Sequence, residues 1–253
     1  MAQLLARGIW AGYGAQPVLA GVDVTLGPGD AVGVIGRSGI GKSTLVEVLA
    51  GRIAPVRGLV TFNGSKVFKP SRGDKKGLKA RLRVVHQNGH DAADPMITVE
   101  KAVKGVLDDA RAAGRSTGRD VEAALVDMEL PRNLLTRRIG TLSGGERQRL
   151  ALSLALATRP DILLLDEPLT AIDQKTRHRL ADALANRLAA DGAGLLLASH
   201  DVRLVEQLTR TVHVLADGVF VESGSLAQVL AHPQHPDTKD FVAALPAATL
   251  RWG

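Results

Sequence analysis

AVGVIGRSGIGKS, Ala31 to Ser43, decides how this chain is read. AVGVI, Ala31–Ile35, reads as a buried strand, and Thr44–Ala50 reads as a helix stopped by Gly51. Between them GRSGIGKS, Gly36–Ser43, fits the pattern G-x-x-x-x-G-K-[ST]. A glycine-rich turn from a strand into a helix aims backbone N–H groups at phosphate oxygens, where the helix dipole also favours negative charge. Gly36, Arg37, Ser38, Gly39, Ile40, Gly41, Lys42, Ser43 and Thr44 are therefore expected to cradle nucleotide phosphates. Lys42 is expected to reach the β- and γ-phosphates, and Ser43 to ligate Mg²⁺.

A second apolar strand supplies the acids. ILLLDEP, Ile162–Pro168, puts Asp166 at the carboxyl end of a strand whose unbroken apolar run suits a buried parallel sheet. Ligands of open α/β sheets bind beyond those carboxyl ends. Asp166 is expected to hold Mg²⁺ through water, and Glu167 to polarise the attacking water as a general base.

The composition sets outer bounds. At 253 residues, 45% of them hydrophobic and 23% charged, the chain is long enough for a substantial core. Aromatics are 3%, so Leu, Val, Ile and Ala must fill that core. With no cysteine there is no disulfide, thiolate metal site or iron–sulfur cluster. No apolar run approaches the roughly 18 residues of a membrane span, and MAQLLARGIW lacks a secretory apolar region. A soluble chain whose membrane role comes through partners is expected. The net charge of +6 gathers between Lys66 and Arg83, where Asp74 is the one acid. A solvated face is the favoured reading there, because Phe68 alone offers a stacking surface for single-stranded nucleic acid.

Elsewhere the pattern alternates. Strands are expected at Leu4–Trp10, Val18–Thr25, Leu59–Phe62, Ser65–Phe68 and Leu82–His86, with Asn63-Gly64 a hairpin turn. From Val99 to Leu135 the pattern is helical, broken at Gly114–Gly118, with Thr117 and Asp120 spaced as a capping box. A further helix opens at Ser143-Gly144-Gly145 and runs to about Ala157. Gln174–Ala190 and Asp201–Leu208 read as helices around a buried strand at Gly194–Ser199. Val212–Ala216 and Val219–Ser223 form a hairpin across Asp217-Gly218, and Ser225–Ala231 is the last clear helix. The alternation predicts a three-layer α/β core.

TLSGGERQ, Thr141–Gln148, completes the set, and with it the chain resembles the ATP-binding-cassette (ABC) ATPases, specifically the nucleotide-binding subunit of a transporter. The resemblance covers nearly the whole chain. It implies an α/β P-loop NTPase core of RecA-like type, with an N-terminal antiparallel β subdomain and an inserted helical subdomain. In that layout 1–90 and 158–231 form the catalytic core with its β subdomain, 91–157 the helical subdomain, and 232–253 a tail. The resemblance also implies roles. Tyr13 matches the aromatic that stacks on adenine, and Gln87 the residue linking Mg²⁺ and water to the transmembrane partner. Ser143, Gly144 and Gly145 match the signature that closes on the ATP of a second subunit. Asp173 ends the dimer-contacting loop Thr170–Asp173, and His200 matches the γ-phosphate contact. His86 stands where Phe is usual, which puts the packing of the coupling groove in doubt.

The tail HPQHPDTKDFVAALP, His232–Pro246, is similar to the H-P-Y-T…P segment of ATPases serving dipeptide, oligopeptide and nickel importers, with Asp237 in place of Tyr. ADPMITV, Ala93–Val99, resembles the same group's N-P-x-x-T-V segment. The implied partners are a second ATP-binding subunit, identical or not, transmembrane permease subunits and through them a substrate-binding protein. The implied place is the cytoplasmic face of the cell membrane, the implied cofactors are ATP and Mg²⁺, and nucleic acid is not an expected partner. Two other readings stay open at this point: the ATPase subunit of a phosphonate-degrading complex, and a non-transport ABC ATPase acting on nucleic acid or ribosomes.

Overall fold

The computed structural model describes residues 2–13, 16–87, 89, 93–115 and 117–246. Asn88 of the VVHQN segment and the end of the tail, 247–253, lie outside the described residues.

Two sheets form around one helix. Strands β1 (Leu4–Tyr13), β2 (Gln16–Leu26), β4 (Arg57–Phe62) and β5 (Ser65–Lys66) make an antiparallel sheet in the order β2-β1-β4-β5. Asn63 and Gly64 both take positive φ in the β4–β5 turn, at 52° and 80°, as a two-residue hairpin of this hand requires. The larger sheet contains β3 (Ala31–Ile35), β6 (Leu82–Val85), β7 (Ile162–Asp166), β8 (Gly194–Ala198), β9 (Thr211–Ala216) and β10 (Val219–Gly224). Its order is β10-β9-β3-β8-β7-β6, parallel throughout except for the edge pair β9–β10.

The larger sheet divides the core in two. Ile162 and Leu164 of β7, with Leu196 and Ala198 of β8, pack on helix α1 (Lys42–Leu49) and the antiparallel sheet. Leu163, Leu165, Leu195 and Leu197 face the opposite way, toward the helices. Every residue of β7 and β8 is buried. Strands covered on both faces need apolar side chains at every position, which explains why ILLL and GLLLA lack alternation.

The helical side is built from α3 (Val99–Ala112), α4 (Ala123–Val126), α5 (Gly144–Ala157), α6 (Gln174–Asp191), α7 (Val202–Leu208), α8 (Leu226–Ala231) and α9 (Pro236–Ala243). Thr98 caps α3, and its backbone bridges Arg138, fastening the start of that helix to the segment before α5.

One local expectation fails, and two helices were not read from the sequence. Thr117 and Asp120 form no capping box: Thr117 Oγ1 accepts from the N–H of Arg119, and Asp120 Oδ1 from that of Ala123. Asp120 instead accepts from the first residue of α4, which starts only at Ala123. The basic segment hides a helix, α2 (Asp74–Arg81), started by Ser71 and Asp74 bonding to each other. Only Ala80 of α2 is buried, so no apolar period betrays it. The tail also forms a helix: Pro236 occupies the first turn of α9, His235 caps it, and Phe241 enters the helical-side core. Among the described residues no helix is long and apolar enough to cross a membrane.

Candidate functional site

The carboxyl ends of β3, β8, β7 and β6 lie side by side, and the loops that leave them carry the chemistry. From β3 the chain enters the phosphate loop. Gly36 has φ 147°, and a Cβ there would sit 2.5 Å from the Leu215 carbonyl oxygen of β9. Gly41 has φ 113°, and its Cβ would meet Val18 of β2 at 2.6 Å. Both positions exclude a side chain on backbone and packing grounds. The loop is thus gripped between the two sheets.

Lys42 opens α1 and is 5% exposed. Its Nζ donates to the carbonyl oxygens of Gly36 and Arg37, at 2.9 and 3.0 Å. Burial lowers its pKa, while the charges of Glu167 and Asp166 oppose the shift. A desolvated ammonium in a ring of backbone groups is suited to exchange those carbonyls for phosphate oxygens. The next residue, Ser43, donates through Oγ to Asp166 Oδ1 at 3.0 Å. Asp166 is 6% exposed at the end of β7. A hydroxyl and a buried carboxylate in contact offer hard oxygen donors beside the phosphate loop, and that set fits Mg²⁺.

Glu167 follows in left-handed backbone, φ 47°. This conformation is costly for a side chain with a Cβ and is found where surrounding structure enforces it. Here the Glu167 N–H donates to the Ala198 carbonyl at 2.8 Å, turning the residue across to β8. Its carboxylate accepts from Ser199 Oγ at 3.0 Å and from the His200 N–H at 3.1 Å, and His200 Nδ1 lies 2.9 Å away. The His200 side chain is 64% exposed, against 12% for Glu167. Ser199 was not singled out in the sequence; a serine after a strand carries no signal of its own.

Gln87 follows β6 and is exposed. Its neighbour His86 does more than line a groove. The His86 ring places Nε2 3.3 Å from Glu47 and Nδ1 3.8 Å from Asp166, and Arg52 also meets Nε2. The residue that departs from the usual Phe therefore faces the acid at the candidate metal site. Tyr13 ends β1, 67% exposed, paired across the hairpin with Gln16. Val18, two residues on in β2, touches Gly41, so this hairpin end lies beside the phosphate loop.

The signature occupies a different surface. Ser143 caps α5: its Oγ accepts from the Glu146 N–H at 3.2 Å, and its own N–H donates to Glu146 Oε2 at 2.7 Å. The bond from the Ser143 N–H does most to lower the Glu146 pKa, against the opposing effect of burial; the Ser143 hydroxyl and the charges of Arg137 and Arg149 lower it further. A Cβ on Gly145 would stand 3.2 Å from the Ala171 carbonyl oxygen, so the signature packs tightly on the loop that follows Glu167. Asp173 caps α6 through the Thr176 N–H at 3.0 Å, and with Ser143, Gly144 and Gly145 it borders an open depression of about 490 Å³. Among the described residues no hydrogen bond or ion pair joins Ser143, Gly144 or Gly145 to the phosphate loop.

Comparison with known proteins identifies the family. Residues 19–170 match the family model described as ABC transporter. The chain is 34% identical over 226 residues to the peptidoglycan transport ATP-binding protein YejF of Agrobacterium fabrum, covering 88% of this chain and 41% of that protein. It is 30% identical to the glutathione import ATP-binding protein GsiA of Shigella flexneri, covering 90% of this chain and 37% of that one. These two relatives are thus more than twice the length of the segment they share with this chain. A putative peptide import ATP-binding protein of Brucella ovis is 30% identical, with 91% and 73% covered. The fold matches a solved ATP-binding subunit of an ABC transporter with TM-score 0.78 at 23% identity, over 95% of this chain and 98% of that one. It matches the dimeric ATP-binding cassette MJ0796, bound to ADP and Pi, with TM-score 0.76 at 23% identity, over 88% and 98%. The family match runs from β2 through the phosphate loop and the signature to the acids beyond β7, and on that ground the chain belongs to the ABC transporter family.

Proposed function

We propose that this chain binds and hydrolyses Mg-ATP as the nucleotide-binding subunit of a membrane importer for peptides or chemically similar solutes, working as a head-to-tail dimer on the cytoplasmic face of the permease. The observation that carries the ATPase reading is the convergence of Lys42, Ser43, Asp166, Glu167 and His200 at the carboxyl ends of neighbouring parallel strands. The importer reading is supported by relatives named for peptide, glutathione and peptidoglycan transport.

In this reading the phosphate loop N–H groups and Lys42 hold the β- and γ-phosphates. Ser43 and Asp166, with Gln87 from the neighbouring loop, are the residues that would hold Mg²⁺. Bound there, the ion would neutralise charge on the phosphate oxygens. Glu167 takes the proton of the attacking water. Ser199 and the His200 N–H keep its carboxylate aimed, and the His200 imidazole contacts the γ-phosphate. Tyr13 stacks on the adenine. Ser143 and the N–H groups of Gly144 and Gly145, a helix N-terminus on a separate face, receive the phosphate bound by the second subunit.

Co-purification of the tagged chain from detergent-solubilised host membranes tests the importer reading. Multi-span membrane proteins with a solute-binding protein are expected in the eluate. A soluble lyase complex, or ribosomes and RNA, would overturn it.

A further inference from the structure

Gln148 lies on the second turn of α5, five residues after Ser143, and is 4% exposed. Its amide is fully engaged. Nε2 donates to the backbone carbonyl of Gln87 and, at 2.9 Å, to Thr170 Oγ1. Oε1 accepts the Ala171 N–H at 3.0 Å. The orientation is fixed by chemistry, because a flipped amide would set its oxygen against the Gln87 carbonyl and its NH₂ against the Ala171 N–H.

The three partners belong to two loops. Gln87 leaves β6; Thr170 and Ala171 lie just beyond Glu167, after β7. Both loops press on α5 as well. Gly89, at φ 59°, would place a Cβ 2.9 Å from the Arg147 carbonyl oxygen, and Ala171 lies against Gly144 and Gly145. One buried side chain on the signature helix therefore joins the loop of the candidate metal and water residue to the loop beneath the signature.

We propose that Gln148 is a positioning residue that sets the Gln87 loop relative to the signature surface, so that closure of a second subunit on that surface is felt at Gln87. This rests on the ATPase reading above. Gln148 touches no nucleotide-binding group of β3 or α1, so its loss should change turnover and not affinity. Buried amides with discrete partners can couple neighbouring loops by about 0.5–2 kcal/mol, and 1.36 kcal/mol is about tenfold in rate.

The test is a double-mutant cycle in the full chain. Gln148→Glu keeps the size and the acceptor for Ala171 but loses both donated bonds. It is expected to lower kcat about tenfold, with Mg-ATP affinity unchanged within about twofold. In a Gln87→Ala background the same substitution is expected to add less than about twofold, because the residue it acts through is already gone. Thr170→Val, which removes one acceptor only, gives the same comparison if Gln148→Glu fails to fold, with a loss of about threefold. Unchanged kcat, or an equal loss in both backgrounds, overturns the proposal. A wild-type chain without turnover would overturn the hydrolytic reading alone. Amide hydrogen exchange then decides the linkage: Mg-ATP should protect Gln87, Gly89 and 170–172 together in wild type but not in Gln148→Glu, and identical protection in both refutes it.

Discussion

Lys42 and Glu167 make separable demands on the site. Lys42 is buried with backbone oxygens as stand-ins for phosphate. A charge-assisted hydrogen bond contributes about 1.5–3 kcal/mol, so Lys42→Ala is expected to weaken Mg-ATP binding about 10- to 100-fold. Isothermal calorimetry checks this, and unchanged affinity would count against the phosphate role. Glu167 is held by Ser199 Oγ and the His200 N–H. Glu167→Gln keeps the shape and one acceptor but cannot take a proton. Its kcat should fall about 100-fold or more, with affinity unchanged within about twofold. Undiminished phosphate release by that variant would reject Glu167 as the base. Both residues stand in strings that already announce them. Ser199 does not, because a lone Ser after a strand is equally suited to packing, and nothing in the string around His86 shows that its ring faces Asp166.

At the scale of elements, the N-terminus of α5 has two duties: it must be stable, and its Ser143 must stay exposed. Glu146 serves the first by accepting the Ser143 N–H, and that bond holds its carboxyl below the ordinary value of 4.5. A depressed carboxyl pKa adds stability that is full above the unfolded-state value and is lost as pH falls through the folded one. Glu146→Ala is therefore expected to cost about 1 kcal/mol at pH 7. The difference from wild type should shrink below pH 4.5 and vanish once the folded carboxyl is protonated. Thermal denaturation of both proteins across that range measures it, and a pH-independent difference would refute the mechanism. The helix start at Ser143 was read in the sequence, but its partner Glu146 was not, although Ser-x-x-Glu has the spacing of a capping box. Helices α2 and α9 were not read either, for opposite reasons. α2 is too polar to show a period, and α9 is short and flanked by the prolines that read as a surface tail.

At the scale of the molecule, the phosphate loop and the signature occupy different surfaces of one chain, and each opens a helix. In the dimer proposed above, a second copy rotated to face the first would pair each phosphate loop with the other's signature, the isologous geometry of a two-fold dimer. Glu167→Gln with Mg-ATP is expected to sediment as a dimer. Adding Ser143→Arg, which places bulk and charge on the exposed signature, should leave it monomeric while nucleotide still binds. Analytical ultracentrifugation with and without ATP checks both, and dimerisation by the double variant would exclude the signature from the interface.

The sequence by itself determined the phosphate loop, the acid pair and the buried strands that present them, because each is a contiguous string whose local backbone needs and apolar runs are readable without neighbours. Tertiary structure alone decided which strings meet. Ser43 and Asp166 are 123 positions apart, yet share a hydrogen bond because β8 lies between β3 and β7 in one parallel sheet and aligns their carboxyl ends. It also decided that Glu167 bends to β8, that His86 faces Asp166, and that Gln148 joins two loops from the signature helix. These depend on distance across the fold, and no periodicity along a chain encodes it.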